Sequence, residues 1–198
     1  MRGLRGAASL GGMTDAPPWT TLGTTMLVED RWIRLRADRL RTAAGTELSP
    51  WYVLDYPDWA AVVALTRDDR IVLVRQWRHA AQAWCLELPG GVIDPGETDP
   101  VAAARRELLE ETGYDAPDWR ALYAAFPNPA IQTNRLHVAL ATGAVPTAAT
   151  AHEAGEAMTV ECLPVAEVLA GIGQGMIGQS MHVGALLVGL AAAGRIRL

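Results

Sequence analysis

Between Asp99 and Gly113 the sequence spells a helix with both ends marked. Asp99 offers a side-chain oxygen to the unpaired N–H groups of a first turn, Pro100 has the fixed φ that suits the first helical position, and Gly113 suits the left-handed residue that stops a helix. Val101, Ala104, Leu108 and Thr112 recur at helical spacing and form an apolar stripe that needs a cover. A sheet has to supply that cover, because most of the flanking chain is patterned as strands.

Before the helix, Ile33, Leu35 and Ala37 alternate with Arg34, Arg36 and Asp38, and the turn-forming AAGTE leads into WYVLDY, so two antiparallel strands are predicted. WAAVVAL and IVLVRQW, joined by the charged turn at 67–70, and then AWCLEL carry the β pattern up to Pro89-Gly90-Gly91. After the helix, WRALYAAF and RLHVALA flank the turn-rich PNPAIQTN, a low-complexity loop occupies 143–157, and MTVECLP returns to strand. Two helices, 165–169 and 180–193, close the chain. With no βαβ repeat the expected class is α+β. Residues 1–18, rich in Gly, Ala and Pro, read as a disordered tail, 19–56 as a small β-domain and 57–198 as the main domain.

All 17 basic residues of the 198-residue chain are arginine, which excludes a P-loop and a Schiff base, both of which need lysine. A formal charge of −5 argues against a nucleic-acid partner, whose phosphates require neutralisation. Cys85 and Cys162 lie far apart in apolar runs, as buried thiols do, and the four histidines show no zinc-binding spacing; His79, His137 and His182 read as structural or surface residues. The apolar stretch 183–193 is too short to span a bilayer and GAASLGG is no signal-peptide core, so a cytoplasmic protein with no membrane partner is expected.

Glu107, Glu110 and Glu111 stand at i, i+3 and i+4, on one side of the helix beside its stripe. The like charges repel, and the negative end of the helix dipole disfavours anions in the last turn. Arg106 can pair with Glu110 one turn on, which leaves Glu107 and Glu111 uncompensated. Either this is a solvated acidic face, or a divalent cation supplies the missing charge. Two carboxylates one turn apart suit Mg²⁺, which takes carboxylate oxygens together with waters and substrate phosphates.

The wider string ELPGGVIDPGETDPVAAARRELLEETGY, residues 87–114, resembles the Nudix box, G-x5-E-x7-R-E-U-x-E-E-x-G-U with U apolar. Gly91, Glu97, Arg106, Glu107, Leu108, Glu110, Glu111, Gly113 and Tyr114 fill its places. Tyr114 stands at the last apolar position, and eight residues rather than seven separate Glu97 from Arg106, the extra one falling in the turn before the helix, where an insertion costs little. VLVRQWRHA and LELPGG before the box, and Pro129 sixteen residues beyond Gly113, are similar to the ADP-ribose and nucleoside-diphosphate-sugar pyrophosphatase branch of that family. Where those enzymes usually have Pro-Gly, this chain has Pro129-Ala130.

The resemblance implies a Nudix-type α/β/α sandwich with a small N-terminal antiparallel β-domain. It implies that Glu107, Glu111 and the backbone carbonyl of Gly90 hold Mg²⁺, or Mn²⁺, and that Glu110 joins them or steadies Arg106. The general base in this branch is a glutamate of a late loop: Glu156 aligns best and Glu153 next, though both also read as solvated residues of a flexible loop. Arg78 and Arg75 are candidates for phosphate contact because guanidinium forks match phosphate oxygens, and strand alternation lets only one of them face the substrate. Pro129 belongs to the substrate side by the same resemblance, while Trp51, Tyr52 and Trp32, aromatic residues of strands, read as core rather than as platforms for a base. The implied reaction is Mg²⁺-dependent hydrolysis of a nucleoside diphosphate joined to a second group, foremost ADP-ribose to AMP and ribose 5-phosphate, in a homodimer joined through the N-terminal strands. The rivals are a Nudix module that senses ADP-ribose or a related nucleotide without cleaving it, and a hydrolase of other nucleoside-diphosphate sugars or of dinucleotide polyphosphates.

Overall fold

The computed structural model describes residues 17–31, 33–151 and 157–198. Most of the 1–18 tail, Trp32, His152, Glu153 and Glu156 therefore lie outside the described residues. The chain forms two compact units, divided between Asp55 and Tyr56.

The first unit is an antiparallel sheet in the order β1 (Trp19–Glu29), β2 (Arg34–Thr42), β3 (Glu47–Leu54). Three strands stand where two were predicted. β1 is rich in strand-forming threonine, but register shifts at Thr21/Gly23 and Met26/Val28 interrupt its period of two, and the alternation that would reveal it is lost. Asp38 is buried and accepts hydrogen bonds from Thr24 Oγ1 at 2.7 Å and from Arg36 Nε, while Arg36 also pairs with Asp55. Trp51 and Tyr52 are not core: they are 38% and 49% exposed, beside exposed Met26, Leu27 and Val28. A three-stranded sheet has no second layer of its own in which to bury them.

The second unit is built on a mixed sheet whose main path is β11-β5-β4-β10-β8. Here β4 is Trp59–Thr66, β5 Arg70–Arg78, β8 Tyr114–Asp115, β10 Leu136–Pro146 and β11 Met158–Pro164. β6 (Ala83–Glu87) joins β5, β7 (Gly90–Val92) joins β4, and β9 (Asp118–Ala125) joins β10. β10 runs parallel to β4 and antiparallel to β9. It also continues past Thr142: Val145 and Pro146 pair with Asp115 and Tyr114, so the first residues of the predicted 143–157 loop are strand. Their small, mixed side chains gave no periodicity, and a register shift at Thr142/Ala144 reverses what there was.

α1 (Pro100–Thr112) covers one face of this sheet, and α2 (Val165–Ile172) and α3 (Ser180–Ala192) cover the other. Alternation along the strands decides which side chain meets which layer. Ala60, Val62, Val72 and Ala139 pack with Ala103, Ala104 and Leu108 of α1, whereas Val63, Ile71, Leu73 and Val138 pack with Val168 of α2 and Leu186 and Leu190 of α3. β4 is buried on both faces from Ala60 to Thr66, which explains its unbroken apolar run. The result is the expected α/β/α sandwich.

Candidate active site

Both ends of α1 form as predicted. Asp99 accepts the Val101 N–H at 2.9 Å, and left-handed Gly113 donates its N–H to the Leu109 carbonyl at 2.8 Å. The caps fix the register of the helix and with it the carboxylates, which stack against β7. A Cβ at Gly91 would lie 2.7 Å from Glu107 Oε1, and one at Gly90 would lie 2.2 Å from the Ala60 carbonyl oxygen. Only glycine lets the backbone pass this closely between the helix and β4. Glu111, 6% exposed, is part of the buried face, and its Oε2 accepts the Gly90 N–H at 2.9 Å.

Arg106 reaches further than Glu110. Its Nη1 donates to Glu110 at 3.0 Å and to Glu107 at 2.8 Å, its Nε and Nη2 each meet Glu97 at 3.1 Å, and Nη2 also donates to the Val92 carbonyl at 3.0 Å. The expectation that Arg106 leaves Glu107 uncompensated is thus corrected: a planar fork with five donors serves three carboxylates at once. Glu97 reaches Arg106 despite the extra residue between them, and the turn at 94–97 folds back on itself, Asp94 N–H meeting Glu97 Oε2 at 2.8 Å and Glu97 N–H meeting the Asp94 carbonyl at 3.0 Å. The hydrogen bond to Glu97 is the main cause that raises the Arg106 pKa, and the same bond holds the Glu97 carboxyl below its usual range.

The strip that leads into Gly90 is held from the other layer. Glu87, 1% exposed at the end of β6, accepts Arg78 Nε at 2.9 Å, Arg78 Nη2 at 2.6 Å and Gln179 Nε2 at 2.6 Å. That carboxylate raises the Arg78 pKa against the opposing effect of burial. His182, buried in the first turn of α3, accepts the Leu88 N–H on Nδ1 at 3.2 Å. It stands 4.0 Å from Glu87, but burial pushes its pKa down to about 4, so the imidazole is neutral and the contact is no ion pair. From the sequence, His182 reads only as a structural or surface residue, and Glu87 and Gln179 carry no assigned role. A charged residue closing the apolar run AWCLEL was the available signal, since a carboxylate buried there has to be paired.

Alternation separates the two arginines. Arg78 shares its strand face with Val72, on the α1 side, whereas Arg75 shares its face with Ile71 and Leu73, toward α2 and α3, and pairs with Glu161 at 2.5 Å. Pro129 lies in an exposed turn between β9 and β10, where the Asn128 carbonyl accepts the N–H groups of Ile131 and Gln132. Glu156 and Glu153 lie outside the described residues. Their described neighbours are anchored: Ala151 donates its N–H to the Glu110 carbonyl at 2.7 Å, and the Ala157 carbonyl accepts the Trp77 N–H at 3.0 Å.

Among the described residues no group of three or more His, Cys, Asp or Glu side chains converges as a metal cage. Glu107 lies against the Gly91 backbone and Glu111 accepts the Gly90 N–H, with Glu110 turned to Arg106. Two carboxylates beside this backbone offer oxygen alone, which suits Mg²⁺, whose shell waters and phosphates can finish, better than zinc with its N and S ligands.

Comparison with known proteins finds relatives of both units of the chain. A family model described as the NUDIX domain matches residues 56–178, and one described as the nucleoside diphosphate sugar hydrolase N-terminal domain matches residues 19–54. The methanol dehydrogenase activator of Bacillus methanolicus is 33% identical over 60% of this chain and 64% of its own length, so the match spans just under two thirds of that protein. The ADP-ribose pyrophosphatase of Mycobacterium tuberculosis is 30% identical over 77% of this chain and 74% of its own. A crystal structure of an ADP compounds hydrolase superposes with a TM-score of 0.80 over 93% of this chain and 100% of that one, at 22% identity, a likeness of fold.

Proposed function

The chain belongs to the Nudix hydrolase family, and from that premise we propose that it hydrolyses the pyrophosphate of a nucleoside diphosphate joined to a second group, with ADP-ribose, cleaved to AMP and ribose 5-phosphate, as the foremost substrate. The observation that carries this reading is the convergence of Glu107 and Glu111 on the Gly90-Gly91 backbone, with Arg78 on the same face of the sheet. The N-terminal match to a nucleoside diphosphate sugar hydrolase domain and the likeness to an ADP-ribose pyrophosphatase support the substrate class.

Glu107, Glu111 and the Gly90 carbonyl would hold Mg²⁺ or Mn²⁺, which when bound neutralises charge on the phosphates and on the bridging oxygen. Arg106 keeps Glu107 and Glu110 in place and spares the last turn of α1 their full repulsion. Glu87 orients Arg78 through Nε and Nη2, so that Nη1 is the arm offered to a phosphate oxygen. Glu156, or else Glu153, takes the proton from the attacking water. Two copies of the chain associate through the N-terminal sheet, a reading supported by its exposed Trp19, Met26, Leu27, Val28, Trp51 and Tyr52.

Assay of a panel of nucleoside-diphosphate sugars and dinucleotide polyphosphates with Mg²⁺ and Mn²⁺, products identified, tests the substrate. ADP-ribose is expected to give the highest kcat/KM. A chain that binds ADP-ribose and cleaves no compound of the panel would be a sensor instead. For the base, Glu156→Gln is expected to lower kcat roughly 100-fold with KM little changed, and Glu153→Gln far less; a reversed result moves the base by three residues.

A further inference from the structure

We propose that the first turn of α3 is part of the active-site scaffold, with His182 as a positioning residue that fixes the Gly90 carbonyl through the Leu88 N–H; this rests on the metal-site reading above. The reason lies in how the strip is paired. β6 is hydrogen-bonded to β5 as far as Glu87, opposite Val74, and β7 is hydrogen-bonded to β4 from Gly90, opposite Ala61. Leu88 and Pro89 fall between the two ladders, where the chain changes partner. Pro89 has no N–H, and its carbonyl accepts the Val62 N–H at 3.0 Å. Leu88 is 1% exposed, so its N–H has neither water nor ladder to turn to. His182 Nδ1 meets it at 3.2 Å.

Three successive main-chain points are then pinned: Leu88 N–H by His182, the Pro89 carbonyl by Val62 and Gly90 N–H by Glu111. The last two pins hold both polar atoms of the Pro89–Gly90 peptide, the unit that leads directly into the Gly90 carbonyl. Gln179, at the N-cap of α3, donates to Glu87 and so holds the carboxylate that orients Arg78. One helix end, on the face of the sheet opposite α1, thereby grips both the backbone donor of the metal site and the arginine of the phosphate site. The buried imidazole is neutral, as an acceptor at Nδ1 requires.

Three variants of the full chain test this. His182→Leu removes the acceptor, His182→Asn restores an oxygen at the Nδ1 position, and His182→Gln carries its oxygen one bond further, at the Nε2 position. Titration with Mn²⁺ alone, free ion followed by electron paramagnetic resonance, is expected to show affinity about tenfold weaker for His182→Leu and His182→Gln, with His182→Asn within about threefold of wild type. Amide exchange at Leu88 is expected to quicken in the same two variants and not in the third. If His182→Leu fails to fold, the contrast of Asn with Gln carries the test. Mn²⁺ affinity unchanged in both, while Glu111→Gln loses it, overturns the proposal and leaves the metal site standing. Mn²⁺ affinity unchanged in Glu111→Gln as well brings down the metal reading and this one together.

Discussion

Glu107 and Glu111 lie one turn apart but are held differently. Glu111 is buried against Gly90 N–H, and Glu107 is shared between Arg106 and the closely approaching Gly91 backbone. Replacing either by glutamine keeps an acceptor oxygen and removes a formal ligand charge, so turnover is expected to fall roughly 100-fold or more with little change in thermal stability. Steady-state kinetics of the two variants decides it, and wild-type turnover in both would return the helix face to solvent. His182 has a separate signature in stability. Its folded pKa of about 4 lies below the ordinary 6.5, so the unfolded chain takes up the proton first as the pH falls. Its contribution is complete above pH 6.5 and is lost down to about pH 4, on the order of 3 kcal/mol over the window. Urea denaturation at stepped pH should show that slope in the wild type and not in His182→Asn. The groups facing it, Glu87 and Arg78, act on it in opposite senses. Equal slopes in the two proteins would refute the assignment.

α1 is defined by what stops it. Gly113 sits at φ +72°, and a Cβ there would lie 2.3 Å from the Ala148 carbonyl oxygen. Its own carbonyl accepts the N–H groups of Thr147 and Ala148, at 2.8 and 3.1 Å, which ties the chain after β10 to the end of α1. Gly194 has the same φ of +72° with nothing within 4 Å of the added Cβ, and is the matched control. Gly194→Ala is expected to cost about 1 kcal/mol, the strain of a left-handed alanine. Gly113→Ala should cost about 2 kcal/mol or more, because a backbone oxygen must also move. Denaturant midpoints at constant slope measure the difference, and equal losses would mean that the strap from 147 to 151 yields freely.

The two units of the molecule answer to different needs. The second buries most of its apolar side chains between its own layers, Trp84 and Phe126 apart, whereas the first leaves the side chains from Met26 to Val28 and those of Trp51 and Tyr52 open. Removing residues 1–18, which precede the first strand and the match to the N-terminal domain model, is expected to leave activity and assembly intact. If the proposed dimer forms through the first unit, removing residues 1–55 is expected to leave a monomer with most activity lost. Light scattering with the ADP-ribose assay distinguishes these outcomes, and a fully active monomer lacking the first unit would refute the second.

The sequence by itself determined whatever is local or periodic. Asp99, Pro100 and Gly113 set the ends of α1, and the spacing of Glu107 and Glu111 set their shared face, because a helix converts separation along the chain into direction with no help from tertiary contacts. Long apolar runs marked β4 and β5 for the same reason. What only the tertiary structure decided is pairing at a distance. That Glu87 is buried under Arg78 and Gln179, and that His182 completes Leu88 across 94 residues, depend on which strand lies beside which. β1 escaped the alternation because its bulges are settled by fit to β2. A hydrogen bond between remote elements leaves no period in the sequence, since its geometry belongs to two layers that meet only once the sheet has formed.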